Sequence, residues 1–115
     1  MKNRLKECLR IQSKESDRVT GEWCFPESFI GFQGHFPDRP ILPGVCLVQA
    51  VLVLWESAQG GLFDLESLVI AKFLEPVRPG ETLRMECEGN GPMLRALVWR
   101  EETRVAEIRL QVKRA

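Results

Sequence analysis

One apolar segment of helical length most constrains how this chain can fold. From Val45 to Trp55 every residue is apolar except Gln49. A surface helix shows a single apolar stripe, whereas a helix that is apolar on all sides is buried on nearly all sides. The segment is shorter than the roughly 20 apolar residues needed to cross a bilayer. It therefore predicts a central helix inside a soluble fold, with no membrane span and no membrane partner.

Proline and glycine residues mark both ends of this predicted helix. Residues 27–43 contain several of them and are predicted to form a loop, after which Pro43-Gly44 opens the helix. Gly60-Gly61 ends it. The N–H groups at a helix start have no intrahelical acceptor, and a glycine there lets a ligand oxygen approach them closely.

Alternating apolar and polar residues predict strands on both sides of the helix. Residues 4–13 and 18–25 predict an N-terminal hairpin, and a helix over residues 2–10 is the competing interpretation. Four further strands are predicted over residues 67–77, 81–88, 93–101 and 104–113. The order β-β-α-β-β-β-β predicts a single α+β domain over residues 1–115, with a mostly antiparallel sheet curled around the helix.

Charge and composition argue against several classes of function. Sixteen basic and sixteen acidic residues cancel, and no basic patch of the kind found in nucleic-acid binders is present. The N-terminal segment lacks the apolar core of a signal peptide, so we expect a cytoplasmic protein. No glycine-rich phosphate loop and no metal-ligand cluster is visible in the sequence, so we expect no cofactor and no metal.

The four cysteines, Cys8, Cys24, Cys46 and Cys87, have no CxxC spacing, and the chain has one histidine to complete a zinc site. We expect all four to be reduced and mostly buried, and to pack as small hydrophobic side chains. Cys46 is closest to the central segment. A role for Cys46 as a nucleophile is a minor alternative, and it would need His35 beside it as a base.

Two sequence motifs occur in the order found in a known family. GHFPDRPILPGV (residues 34–45) is followed by LVQAVLVL, and AKFLEPVRPGETLRMEC (residues 71–87) comes later. They resemble the β-hydroxyacyl-acyl-carrier-protein dehydratases of the FabZ and FabA type over residues 27–113, and the short chain looks closest to compact ApeI-like dehydratases. The resemblance implies a hot-dog fold, in which two subunits pair edge to edge and form each active site at their interface.

The resemblance implies a catalytic role for His35. Dehydration of a 3-hydroxyacyl thioester needs a base that removes a proton from C2 and an acid that protonates the departing C3 hydroxyl. His35 stands at the family's histidine position, and the pKa of an imidazole, near 6.5, suits the base. The alternative is a structural histidine that holds the loop. Phe36 is expected to line the substrate tunnel, or else to be part of the core.

Gly44 and Val45 stand at the family's oxyanion site. As C2 loses its proton, negative charge develops on the thioester oxygen and must be met by preorganised donors. Backbone N–H groups at the start of the helix, together with the positive end of the helix dipole, would supply them. The alternative is that Pro43-Gly44 is only a good helix start, and both interpretations can hold together.

Gln49 departs from the family pattern. The family has Glu or Asp fourteen residues after its histidine, and here an amide with no dissociable proton takes that position. Gln49 can still hydrogen-bond a hydroxyl, a water molecule or a thioester oxygen, or backbone atoms across a dimer interface. A missing acid reduces the rate by about 10²–10⁴. Either water or another carboxylate supplies the proton, or the pocket hydrolyses thioesters, or the chain is the non-catalytic subunit of a heterodimer.

Three carboxylates are candidates to replace the family acid. Glu56 shares the helix face of Gln49, but two turns separate them by about 10 Å, too far for a simple substitution. Asp38 and Glu75 are the other two candidates, and each is expected to be a solvated surface carboxylate rather than the acid. Arg39 could meet the phosphate or the acidic surface of a carrier protein, or simply be solvated.

These observations together predict a dehydratase-like enzyme of fatty acid or polyene and polyketide biosynthesis. The expected substrates are (3R)-hydroxyacyl thioesters of acyl carrier protein or coenzyme A, and the expected assembly is a homodimer or a hot-dog heterodimer. An acyl thioesterase on the same scaffold is the alternative enzyme.

Overall fold

A computed structural model of the protein describes residues 2–32 and 40–115. The elements in chain order are α1 (Lys2–Cys8), β1 (Leu9–Lys14), β2 (Arg18–Cys24), a 3-10 turn (Ile30–Phe32), α2 (Gly44–Gln59), β3 (Phe63–Phe73), β4 (Thr82–Asn90), β5 (Met93–Arg100) and β6 (Thr103–Arg114). All strand pairs are antiparallel, and the sheet order is β1-β2-β4-β5-β6-β3. Strands β1 and β3 therefore form the two edges of the sheet.

The predicted central helix is confirmed. From Cys46 to Glu56 every residue of α2 except Gln49 is buried. The helix ends at Gly60, whose φ of 74° is a conformation that residues with a side chain rarely adopt. Among the residues that the structure describes, no helix has the length and apolarity needed to span a membrane.

The core forms where α2 packs against the inner face of the sheet. Every second residue of the central strands points inward and is buried: Val19, Trp23, Leu83, Met85, Cys87, Leu94, Ala96, Val98, Ile108, Leu110 and Val112. Two glycines let the helix approach the strands closely. A Cβ on Gly21 would lie 2.7 Å from Leu54 Cδ1, and one on Gly89 would lie 2.5 Å from Trp55 Cη2. The predicted antiparallel sheet around one long helix is thus confirmed.

The N-terminal segment corrects one prediction. The hairpin between β1 and β2 exists, but residues 2–8 form α1 instead of the first half of a strand over residues 4–13. The competing helical interpretation was right there. Leu5 and Leu9 are four residues apart, a spacing that fits a helix as well as an alternating strand, and Leu5 is fully buried.

Strand β3 also differs from its predicted bounds. It runs over Phe63–Phe73 rather than over residues 67–77, and its register with β6 shifts at two irregularities. The prediction depended on strand-forming composition and on the turn signal at Pro79-Gly80, and neither marks where this strand begins or ends. The remaining strands begin and end within a few residues of their predicted positions.

Candidate functional site

The amino end of α2 opens onto a groove at the protein surface. The groove has a volume of about 200 Å³ and is lined by Ile41, Leu42, Gly44 and Leu47 on one side and by residues 73–77 on the other. Pro43 leads into the helix with φ −61° and ψ 142°, and no side chain in the described part of the chain caps the first turn. The first N–H groups of a helix have no intrahelical acceptor. The N–H of Cys46 donates to the carbonyl oxygen of Pro43 at 2.9 Å, whereas no acceptor within residues 2–32 and 40–115 is found for the N–H groups of Gly44 and Val45. The groove therefore lies beside N–H donors at the positive end of a buried helix.

Gly44 allows the aromatic ring of Phe73 to cover the first turn of α2. A Cβ on Gly44 would lie 2.6 Å from Cε2 and Cζ of Phe73, much closer than van der Waals contact. Phe73 is the last residue of β3, and its side chain is 47% exposed. The ring thus lines the groove beside the helix start, and it is only partly buried.

Val45 and Gln49 share the face of α2 that the sheet leaves open. They are four residues apart and so lie on one side of the helix. Val45 is 62% exposed, and Gln49 is half-buried between buried neighbours. None of the side-chain hydrogen bonds within residues 2–32 and 40–115 involves Gln49. A half-buried amide can hydrogen-bond a ligand, a water molecule or a residue of another subunit, so this face is suited to such a contact.

The predicted residues His35, Phe36, Asp38 and Arg39 lie outside the described residues. The described residues on both sides of this segment are held by specific contacts. On one side, Phe32 packs edge-on against Phe29, with ring centroids 6.2 Å apart. On the other, the N–H of Leu42 donates to the carbonyl oxygen of Val77 at 2.8 Å. The roles of His35 and Phe36 therefore stay predictions.

Glu56 lies at the wrong end of the helix to replace the family acid. Its side chain is buried, and its Oε2 accepts hydrogen bonds from Lys2 Nζ at 3.0 Å and from the N–H of Phe63 at 2.8 Å. These contacts connect α1, α2 and the start of β3. Glu75, in contrast, lines the groove beside Gly44 and is exposed. Among the described residues, Glu75 is the carboxylate that lies beside the helix start.

The alternative role of Cys46 as a nucleophile has no support in the structure. Cys46 is buried, and its Sγ faces Gly31, where a Cβ would lie 2.9 Å from the sulfur. Burial raises the pKa of the Cys46 thiol, which opposes formation of a thiolate. All four cysteines are free. Cys87 is buried as expected, with its pKa raised to about 12, but Cys8 is half-buried and Cys24 is exposed, which corrects the expectation of general burial.

Sequence reasoning missed the wall of the groove. Glu75 was considered as a candidate acid, but Phe73 was noted only as part of a family motif, and the position of this segment beside Gly44 follows from the long-range pairing of β3 with β6. The signal that could have found them is an apolar strand end followed by Pro76. The described residues contain no cluster of three or more His, Cys, Asp or Glu side chains that could hold a metal ion.

Comparison with sequence families and curated proteins gives consistent matches. A family model described as ApeI-like, ApeI dehydratase, matches residues 11–108. The 3-hydroxyacyl-[acyl-carrier-protein] dehydratase FabZ of Solibacter usitatus is 41% identical over 85 residues, which are 67% of this chain and 52% of that protein. FabZ of Thermus thermophilus is 41% identical over 86 residues, covering 62% and 61%. The chain spans about half the length of the first curated relatives it matches.

Solved structures resemble the whole chain. The dehydratase heterocomplex ApeI:P from Xenorhabdus doucetiae matches with a TM-score of 0.83 at 20% identity, covering 91% of this chain and 95% of that one. The PaaI protein of the phenylacetic acid degradation operon of E. coli matches with a TM-score of 0.73 at 16% identity, covering 97% and 88%. These similarities show that the fold is the hot-dog fold predicted from the sequence.

Proposed function

Because this chain belongs to the ApeI-like dehydratase family, we propose that it dehydrates 3-hydroxyacyl thioesters of an acyl carrier protein or coenzyme A. In this reaction a base takes the C2 proton, the thioester carbonyl becomes enolate-like, and the C3 hydroxyl leaves as water with a proton from an acid. The reverse reaction hydrates the enoyl thioester. The product is a C2–C3 double bond conjugated to the thioester.

The groove at the first turn of α2 is the observation that carries this proposal. The groove beside Gly44 has apolar walls, which suit an acyl thioester, and the helix start offers N–H donors where the carbonyl oxygen would lie. Donors of this kind matter in the transition state, where the oxygen carries charge. Removal of one such donor typically reduces the rate by about 10²–10³.

We assign the C2 proton transfer to His35, a wall of the acyl tunnel to Phe36, and the carbonyl contact to the N–H groups of Gly44 and Val45. Gln49 then holds a water molecule or the substrate hydroxyl. An amide cannot donate a proton as an acid, so the proton for the leaving hydroxyl comes from water or from a carboxylate such as Glu75.

The exposed apolar edge of the sheet supports an assembly of two subunits. Among the described strands, β3 pairs only with β6. It carries the exposed side chains of Leu65, Leu68 and Val69, and it ends at the exposed Phe73. Full burial of one such side chain contributes about 1.5–3 kcal/mol. We propose that β3 pairs with a second hot-dog subunit, and that the open face of α2 contributes to a site at this interface.

Gln49 favours one further candidate function. A subunit without its own acid can pair with a homologous subunit that carries a carboxylate at the matching helix position. The matched structure from Xenorhabdus doucetiae is named a heterocomplex. In that case the chain alone would bind acyl thioesters with little turnover, and the paired complex would be active.

Hydration of an enoyl thioester by the purified protein tests the proposal. We expect loss of the enoyl absorbance without release of free thiol, and we expect the His35→Ala variant to lose this activity. Release of thiol at the rate of substrate loss would indicate a thioesterase instead. Equal hydration by the wild type and by His35→Ala would contradict the role of His35 as the base.

A further inference from the structure

The segment over residues 76–81 forms a tight turn that a carboxylate holds closed. Pro79 and Gly80 occupy its centre, Gly80 has φ 81°, and the N–H of Glu81 donates to the carbonyl of Arg78 at 3.4 Å. The side chain of Glu81 folds back onto the same turn. Its Oε1 accepts the N–H of Arg78 at 2.7 Å. The turn is therefore closed by both a backbone bond and a charge-assisted bond.

Arg100, at the end of β5, joins both ends of this turn. Its Nη1 lies 3.0 Å from the carbonyl oxygen of Pro76 and 3.3 Å from Oε1 of Glu81. The two charged side chains are 25% and 27% exposed. A partly desolvated pair with a further backbone acceptor holds its geometry better than an exposed surface pair.

The same turn also fixes the position of the segment that leads into α2. Val77 lies inside the turn, and its carbonyl oxygen accepts the N–H of Leu42 at 2.8 Å. Val77 and Leu42 are both buried, so this bond is shielded from water. Leu42 is joined to Gly44 by Pro43, whose ring restricts φ. A shift of Val77 would therefore also move Gly44, the first residue of the helix.

We propose that Glu81 and Arg100 are positioning residues for the oxyanion site, acting through the Val77–Leu42 hydrogen bond. Neither side chain lines the groove, and neither needs to contact the substrate. Their role is to hold the N–H groups of Gly44 and Val45 where the thioester oxygen becomes charged. This inference rests on the proposed function, since it assigns a catalytic purpose to the helix start.

Misalignment of donors affects the transition state more than substrate binding. A shift of about 1 Å at reacting atoms can reduce the rate by about 10²-fold even where the substrate stays bound. Loss of either positioning residue should therefore lower kcat and leave KM nearly unchanged. A residue that only stabilised the fold would lower the amount of active enzyme without changing the properties of the folded fraction.

The test compares Glu81→Gln, Arg100→Met and Arg100→Lys with Glu88→Gln. Glu88 pairs with Arg18 at 3.0 Å on an exposed part of the sheet and serves as the matched control. Two quantities are measured in each variant: kcat and KM for enoyl thioester hydration, and the hydrogen-exchange rate of the Leu42 amide. We expect Glu81→Gln and Arg100→Met to lower kcat by about 10-fold to 100-fold and to speed Leu42 exchange. Arg100→Lys should recover part of both, and Glu88→Gln should change neither.

The two measurements distinguish failure of this inference from failure of the proposed function. Unchanged Leu42 exchange in Glu81→Gln and Arg100→Met would overturn the inference, and so would faster exchange with an unchanged kcat. A wild-type protein with no hydration activity, alone or with a homologous subunit, would instead overturn the proposed function. In that case the inference would fail with it, even if Leu42 exchange showed that the structural connection exists.

Discussion

Gln49 is polar and half-buried, and it therefore differs from the buried residues around it in α2. It interrupts the apolar segment, it is half-buried between buried neighbours, and it shares its helix face with the exposed Val45. Core amides are usually paired within their own subunit. The sequence alone marked this position because the amide replaces a family carboxylate. It could not tell that the side chain lies on a face open to a ligand or a second subunit.

We predict that Gln49→Glu increases the rate of enoyl thioester hydration, because a carboxyl group at this position can exchange protons with the substrate hydroxyl. An increase of about 10²-fold would match the usual contribution of a general acid. Gln49→Met is the control, since it keeps the size of the side chain and removes its hydrogen bonds. An unchanged rate in Gln49→Glu would show that the proton comes from another source.

The elements of this fold were predictable to different degrees for physical reasons. The limits of α2 follow from local chemistry, because an apolar segment flanked by Pro43-Gly44 and Gly60-Gly61 has few other conformations. The limits of α1 and β3 do not. The spacing of Leu5 and Leu9 fits a helix and a strand, and the irregularities in β3 depend on its pairing with β6. Local periodicity carries no information about that partner.

The contact between α2 and β3 yields a prediction about Gly44. We expect Gly44→Ala to lower the free energy of unfolding by about 1–3 kcal/mol, because its Cβ would overlap the ring of Phe73. The double variant Gly44→Ala/Phe73→Ala should recover stability relative to the sum of the single changes. Urea unfolding of all four proteins gives this coupling energy. Strict additivity would show that the ring moves aside freely and does not restrict position 44.

At the scale of the whole molecule, the two edges of the sheet differ in character. Strand β1 is short, whereas β3 is long and carries exposed apolar side chains. The hairpins β4–β5 and β5–β6 could be predicted from neighbouring runs in the sequence. The pairings of β2 with β4 and of β3 with β6 could not, because they join segments far apart in the chain. The resemblance to a known family supplied what periodicity lacked.

We predict that Leu68→Arg disrupts assembly and activity together. Leu68 is 48% exposed, and it is paired in register with the buried Leu110, so it faces the inner side of the sheet edge. Burial of an arginine at a subunit interface without a partner is unfavourable. Light scattering should report a wild-type dimer or larger assembly and an increased monomer fraction in the variant. Ile11→Arg, on the opposite edge strand, is the control, and equal dissociation in both variants would contradict the assignment of β3 as the interface.

The most direct test of the oxyanion site replaces Val45 by proline. Proline removes the backbone N–H of position 45 yet is compatible with the first turn of a helix, and the Val45 side chain is too exposed for its loss to damage the core. Val45→Ala keeps the N–H and is the matched control. We expect kcat for enoyl thioester hydration to fall by about 10²–10³ in Val45→Pro and to change little in Val45→Ala, with similar thermal unfolding of both. Equal activity of the two variants would contradict the claim that the start of α2 stabilises the thioester oxygen.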